Sequence, residues 1–235
     1  MKISISHIGA VFLKQCKDTL KNTQVSVLFF VYPLVAAVMT SSVGEQLGQT
    51  DFFISIFATM HAVFTPVVVT ASVISEEKEK NTLRALIMSG VRPFEYLASI
   101  GGFVFLCTML TGLSFMVMGQ YDLKTGAEVI LCMGIGCICS IVLGLTIGGF
   151  ARNLMSANAI AVPVSMVISF LPMIAYFNES IGKVSKYIYG QQIGNFLQNP
   201  SGYSLTGEII LIVAVNFLLC LVAFILVFRH NRIEN

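Results

Sequence analysis

Few residues of this chain could do chemistry. The densest group is Ser75–Gly90, SEEKEKNTLRALIMSG, and it follows 23 residues, FFISIFATMHAVFTPVVVTASVI, that carry no formal charge. His61 is the one imidazole inside such an apolar run. The cysteines Cys16, Cys107, Cys132, Cys137, Cys139 and Cys220 show no paired CxxC spacing and have no histidine beside them. They read as small apolar filler, not as metal ligands or disulfide partners. No nucleophile–base pair, HExxH helix or metal-ligand cluster is spelled out. Gly182-Lys183 lacks the upstream glycine of a phosphate loop. The chain is therefore not expected to be an enzyme, to hold a metal or cofactor, or to bind nucleic acid. An ion-coupled carrier would need ionisable groups at depth, and His61 alone could serve.

The elements that position these residues follow from composition. The chain is 56% hydrophobic and 11% charged, against about 25% charged in an ordinary soluble domain. Its apolar residues come in blocks long enough to cross the ~30 Å hydrocarbon core as helices. Six spans are expected, at 25–43, 53–75, 97–119, 127–150, 158–177 and 209–228, filling one all-α membrane domain over 1–235. With both termini cytoplasmic, the inner segments hold Lys2, Lys14, Lys17, Lys21, Lys78, Lys80, Arg84, Arg92, Arg152, Arg229 and Arg232. The outer ones hold only Lys124, Lys183 and Lys186. That bias puts the Ser75–Gly90 cluster in the cytoplasm of a multi-pass plasma-membrane protein.

Residues 1–22 place Ile5, Ile8, Phe12, Cys16 and Leu20 on one helical face, suited to the membrane interface. Pro33, Pro66, Pro163 and Pro172 lie inside spans, as hinges or as packing features. In the fourth span Gly136, Ser140, Gly144 and Gly148 recur every four residues. Such a smooth stripe lets helices approach closely, within the subunit or between two subunits. Residues 178–208 form a long external segment. Two short amphipathic helices, separated at Gly190, are expected to dip into the outer leaflet, with Tyr187, Tyr189 and Tyr203 at headgroup depth.

Within the charged stretch, span 2 can continue as a helix, with Glu76 and Lys80 as an i,i+4 pair. Leu83, Leu86 and Ile87 share one face of a short helix, Gly90 ends it, and Pro93 can start the next. The plain alternative is a charged loop obeying the positive-inside rule. Glu76, Glu77 and Glu79 contribute nothing to that rule, so a plug for a groove on a soluble partner fits better.

Glu79-Lys80-Asn81-Thr82-Leu83, then Leu86 and Ser89-Gly90-Val91, resembles the signature of ABC-2 type permeases. In that family an E-x-G-T-L pattern leads from span 2 into a cytoplasmic coupling helix. Asn81 stands where Gly is usual, and Gly90 where Pro is common. The resemblance implies an interfacial N-terminal helix, six spans, a coupling helix within 76–92 and re-entrant helices between spans 5 and 6. It implies two permease subunits, identical or related, each docked on an ABC ATPase that carries ATP and Mg. Leu83, Leu86 and Ile87 would contact that ATPase, with Thr82 and Gly90 framing the helix. Glu76, Glu77 and Glu79 would meet its basic groups or hold the span 2 extension.

The translocation path would lie between subunits, along spans 1, 2 and 5, past Phe29, Tyr32, Phe57, Met60, His61 and Phe64. That uncharged, Phe- and Met-rich lining suits hydrophobic or amphipathic cargo, such as a membrane-active peptide, antibiotic or drug. Export is implied by the resemblance alone. Two other classes stay open: a membrane anchor that recruits a cytoplasmic partner without transport, and a secondary carrier that depends on His61.

Overall fold

In lipid a backbone must satisfy its own hydrogen bonds, and the apolar runs do so as helices. The computed structural model describes residues 5–44, 46, 48, 50–200, 202 and 206–233. Among them ten α-helices and no strands occur. Six are long and apolar enough to cross a membrane. These are α2 (Thr23–Met39, prolonged by a π-helical turn over Thr40–Gly44), α3 (Thr50–Glu79), α5 (Pro93–Met118), α6 (Leu123–Phe150), α7 (Leu154–Phe177) and α10 (Gly207–Ile233). Four shorter helices complete the chain: α1 (Ile5–Lys21), α4 (Thr82–Met88), α8 (Glu179–Ser185) and α9 (Tyr189–Gln198).

The long helices overrun the expected spans wherever a cap or an ion pair supports the extra turn. Asp122 accepts from Lys124 N at 3.2 Å and starts α6. Asn153 accepts from Ser156 N at 2.8 Å and starts α7. Pro93 opens α5, and Glu95 reaches back to Arg92 N at 3.1 Å. Helix α3 continues past Ser75 because its charged residues are paired, as described below.

Helix α3 is the axle of the bundle. Its apolar window is 78% buried, against 22% for α2 and α7 and none for α10. It packs on α2, α5, α6, α7 and α9. The small-residue stripe of α6 meets helices of the same chain at every step. Gly144 lies against Val67 and Thr70, and Gly148 against Ala71 and Ile74. Ser140 shares a 2.9 Å hydrogen bond with the Tyr189 hydroxyl, and Gly136 faces Ile193.

The α8–α9 hairpin differs from expectation in two particulars. The break between its helices falls at Lys186–Ile188; Gly190 lies inside α9, where a side chain would strike the Ile168 carbonyl. Tyr189 is buried against α6 instead of sitting at headgroup depth, since its hydroxyl finds Ser140. Tyr187 is exposed, under the Lys186 ammonium at 4.8 Å. Tyr203 lies outside the described residues. All six cysteines are free thiols.

Candidate functional site at the base of α3

Successive residues of a helix point about 100° apart, so four charged residues in a row face four directions. At the base of α3 each meets a different neighbour. Glu76 takes Lys80 Nζ at 2.5 Å, the expected i,i+4 pair, and Asn22 Nδ2 at 3.4 Å. Glu77, 6% exposed, accepts from Lys14 Nζ at 2.5 Å and from Gln15 Nε2, both on α1. Lys78 donates to the carbonyls of Gly148 at 3.3 Å, Gly149 at 2.8 Å and Ala151 at 2.5 Å. Glu79 accepts from Leu154 N at 3.0 Å, in the first turn of α7. The signs suit the helix dipoles: a cation at the C-terminal end of α6, an anion at the N-terminal end of α7.

Burial of Lys14 alone would depress its pKa. The Glu77 hydrogen bond and charge, helped by Asp18, outweigh this and hold it above the usual lysine value. Lys14 therefore stays charged at neutral pH and ties α1 to α3. A second tie joins α1 to α5, through His7 Nδ1 to Glu95 Oε2 at 3.1 Å and Ser99 Oγ to the Ile8 carbonyl at 3.0 Å. Between α1 and the base of α3 opens a cleft of about 750 Å³, lined by Lys14, Asp18, Asn22, Glu76, Lys80 and Thr82 among others.

After Glu79 the chain turns sharply. Asn81 takes the left-handed conformation at φ 57°, which Asn tolerates better than most residues. Thr82 Oγ1 then donates to the Glu77 carbonyl at 3.1 Å. Helix α4 ends at Gly90, whose φ of +95° suits a residue without Cβ. The expected apolar stripe is divided. Leu83 and Leu86 turn inward onto the core cluster that contains Val91 and Tyr96. Ile87 and Met88 face outward, 46% and 80% exposed. Arg84 is exposed beside them.

The candidate path residues do not share one environment. Phe29, Met60 and His61 are buried within the subunit. Tyr32, Phe57 and Phe64 are half-buried, with Tyr32 and Phe64 edge to face at 5.7 Å. His61 Nε2 lies 3.0 Å from the Thr108 carbonyl and 3.0 Å from Thr111 Oγ1. A carbonyl can only accept, so Nε2 carries the proton and the ring pins α3 to α5. Among the described residues Nδ1 has no partner, and no group of three or more His, Cys, Asp or Glu could hold a metal.

Sequence reasoning missed the Lys78 contact, the Gln15 contact and the His7–Glu95 tie. A lysine at the end of a span looks like a positive-inside residue, and nothing in the sequence points it at α6. Lys78→Met should cost about 1–2 kcal/mol, since three terminal carbonyls lose their cation. A thermal melt in detergent reads this, and an unchanged melting temperature would assign Lys78 to solvent.

The arrangement is a set of contacts between helices. It clamps α1, α6, α7 and the α3–α4 corner into one unit at one end of a bundle of six apolar helices. Such an architecture is that of a multi-pass membrane protein. The family model described as ABC-2 family transporter protein matches residues 39–229, and the chain belongs to that family. No curated protein matches the chain closely enough to count as a relative.

Proposed function

We propose that this chain is the membrane subunit of an ATP-driven exporter and that a separate ABC ATPase docks on α4. Membrane subunits of the family are typically not enzymes, with ATP hydrolysed on partner subunits. The observation that carries the reading is the divided stripe of α4. Its inward half anchors it to the bundle, and its outward half leaves Ile87 and Met88 uncovered at a corner tied to α3 by the Thr82–Glu77 hydrogen bond. Two uncovered apolar side chains on a braced corner are what a groove on a soluble partner can grip.

In this reading the α4 end is cytoplasmic, in the plasma membrane, with α1 in the interface and the α8–α9 hairpin re-entrant from outside. Glu76, Glu77 and Glu79 brace the extension of α3 and leave docking to α4. The exposed flanks of α2 and α7 face a second permease subunit. Tyr32, Phe57 and Phe64 border the path between them, and hydrophobic or amphipathic molecules are the cargo.

The test is co-purification with an ABC ATPase co-expressed with this chain. Ile87→Asp/Met88→Asp should weaken retention about tenfold or more while the thermal melt stays unchanged. Leu83→Asp/Leu86→Asp should lower the melt as well, because those residues face the subunit's own core. If the Ile87/Met88 variant holds the ATPase as the wild type does, the docking contact lies elsewhere.

A further inference from the structure

A second opening lies at the other end of the bundle, between α6, α9 and α10. It is a groove of about 710 Å³, within the usual size of a small-molecule site. Its wall is apolar along Ile135, Ile138, Ile210, Val213 and Phe217, with Glu128 at the N-terminal end of α6 and Gln192 deeper in, next to Ile193 at the level of Gly136. Ile138 follows Glu128 by ten residues on the same helix, about 15 Å at 1.5 Å per residue. That is half of the ~30 Å hydrocarbon core. With Glu128 at head-group level, the groove would span one leaflet, with hydrocarbon below the carboxylate.

Among the described residues Glu128 has no ion pair and no hydrogen bond, and no lysine or arginine lines the groove. Lys186, on the neighbouring hairpin, lies 3.9 Å from Glu208 and over the Tyr187 ring. Lys124, one turn before Glu128 on α6, is exposed and is not among the lining residues, so the charge in the lining itself is the Glu128 carboxylate, which an anionic head group cannot pair with. A primary ammonium is small and can donate to the carboxylate, which gives a charge-assisted hydrogen bond.

We propose that this groove binds an aminophospholipid of the phosphatidylethanolamine type, its ammonium on Glu128 and one acyl chain along α10. The lipid comes from the leaflet on the α8–α9 side, the outer one in the orientation proposed above. Head-group choice does not depend on that orientation or on the ATPase contact, so either idea can fail while the other stands.

The chain contains no tryptophan, so Phe217→Trp places a single fluorophore at the deep end. The protein is reconstituted in lipid discs containing phosphatidylethanolamine, phosphatidylglycerol or phosphatidylcholine brominated in mid-chain. Brominated phosphatidylethanolamine should quench with about two- to fivefold higher relative affinity than the others, the range of a partly exposed ion pair. Glu128→Gln should abolish the preference and Glu128→Asp should keep it, with both variants eluting as the parent does. Equal quenching by all three lipids would mean that any bilayer chain fills the groove, and the proposal falls. It falls equally if phosphatidylglycerol is preferred, if the preference survives Glu128→Gln, or if no lipid quenches because a protein surface covers the groove.

Discussion

Glu77→Ala should release the N-terminal helix from the bundle and cost about 2–3 kcal/mol. Glu77 is 6% exposed and receives both Lys14 and Gln15. Its loss leaves Gln15, itself 2% exposed, without that acceptor. Lys14, about a third exposed, can turn towards water, which keeps the cost below that of a fully buried pair. For a chain of this size the melting temperature should fall by about 5–10 °C. Trypsin should also cut faster at Lys17 and Lys21 as α1 loosens. Glu76→Ala is the matched control: its partner Lys80 is 64% exposed, and such pairs contribute about 0–1 kcal/mol. Equal losses from the two variants would mean that Glu77 is not a structural anchor.

Gly144→Leu should be the most damaging single change along the small-residue stripe of α6. A Cβ at Gly144 would stand 2.8 Å from Thr70 Cβ and 2.8 Å from the Val67 carbonyl oxygen. The obstruction includes backbone of α3, which cannot swing aside as a side chain can. A full Leu must separate two helices, costing about 3 kcal/mol or more. The order down the stripe is informative. At Gly148 the nearest atoms are at 3.0 Å and again include backbone, whereas at Gly136 only the Ile193 side chain intrudes, at 3.3 Å. Alanine should therefore hurt most at Gly144, less at Gly148 and least at Gly136. Gly102, with nothing within 4 Å of an added Cβ, should accept alanine without loss. Folded yield by fluorescence-detected chromatography ranks all four. Equal tolerance at Gly144 and Gly102 would show that α3 and α6 do not pack this closely.

How much of this was legible in the sequence depends on distance along the chain. Local features were readable. The Glu76–Lys80 pair, the corner at Gly90 and the start at Pro93 all involve neighbours in sequence, where helical spacing and backbone preference dictate the outcome. Span ends were less readable because hydropathy stops at the first charge, while a helix stops where its backbone loses partners. That is why α3 runs on through Glu79. The face of α4 was half readable: spacing shows that Leu83, Leu86 and Ile87 are neighbours, but not which of them meets the chain's own core. Least readable were Lys78 on the end of α6 and Glu79 on the start of α7, about 70 and 75 residues away. Any carbonyl or amide could have served, and only the packing of three helices selects these.

The unbroken run of α3 has a mechanical consequence. Thirty residues from Thr50 to Glu79 make a rod of about 45 Å, seated at its base among α1, α4, α6 and α7. A tilt of about 10° at that base would carry the far end sideways by about 8 Å, by simple leverage along the rod. The α9 helix rests against this far half, where Gly194 lies close to Thr59. A small push on one side of the membrane would thus be geared up into a larger displacement on the other. Pro66, near the midpoint of the rod, removes one backbone hydrogen bond, so any bending there would subtract from the displacement that reaches the far end.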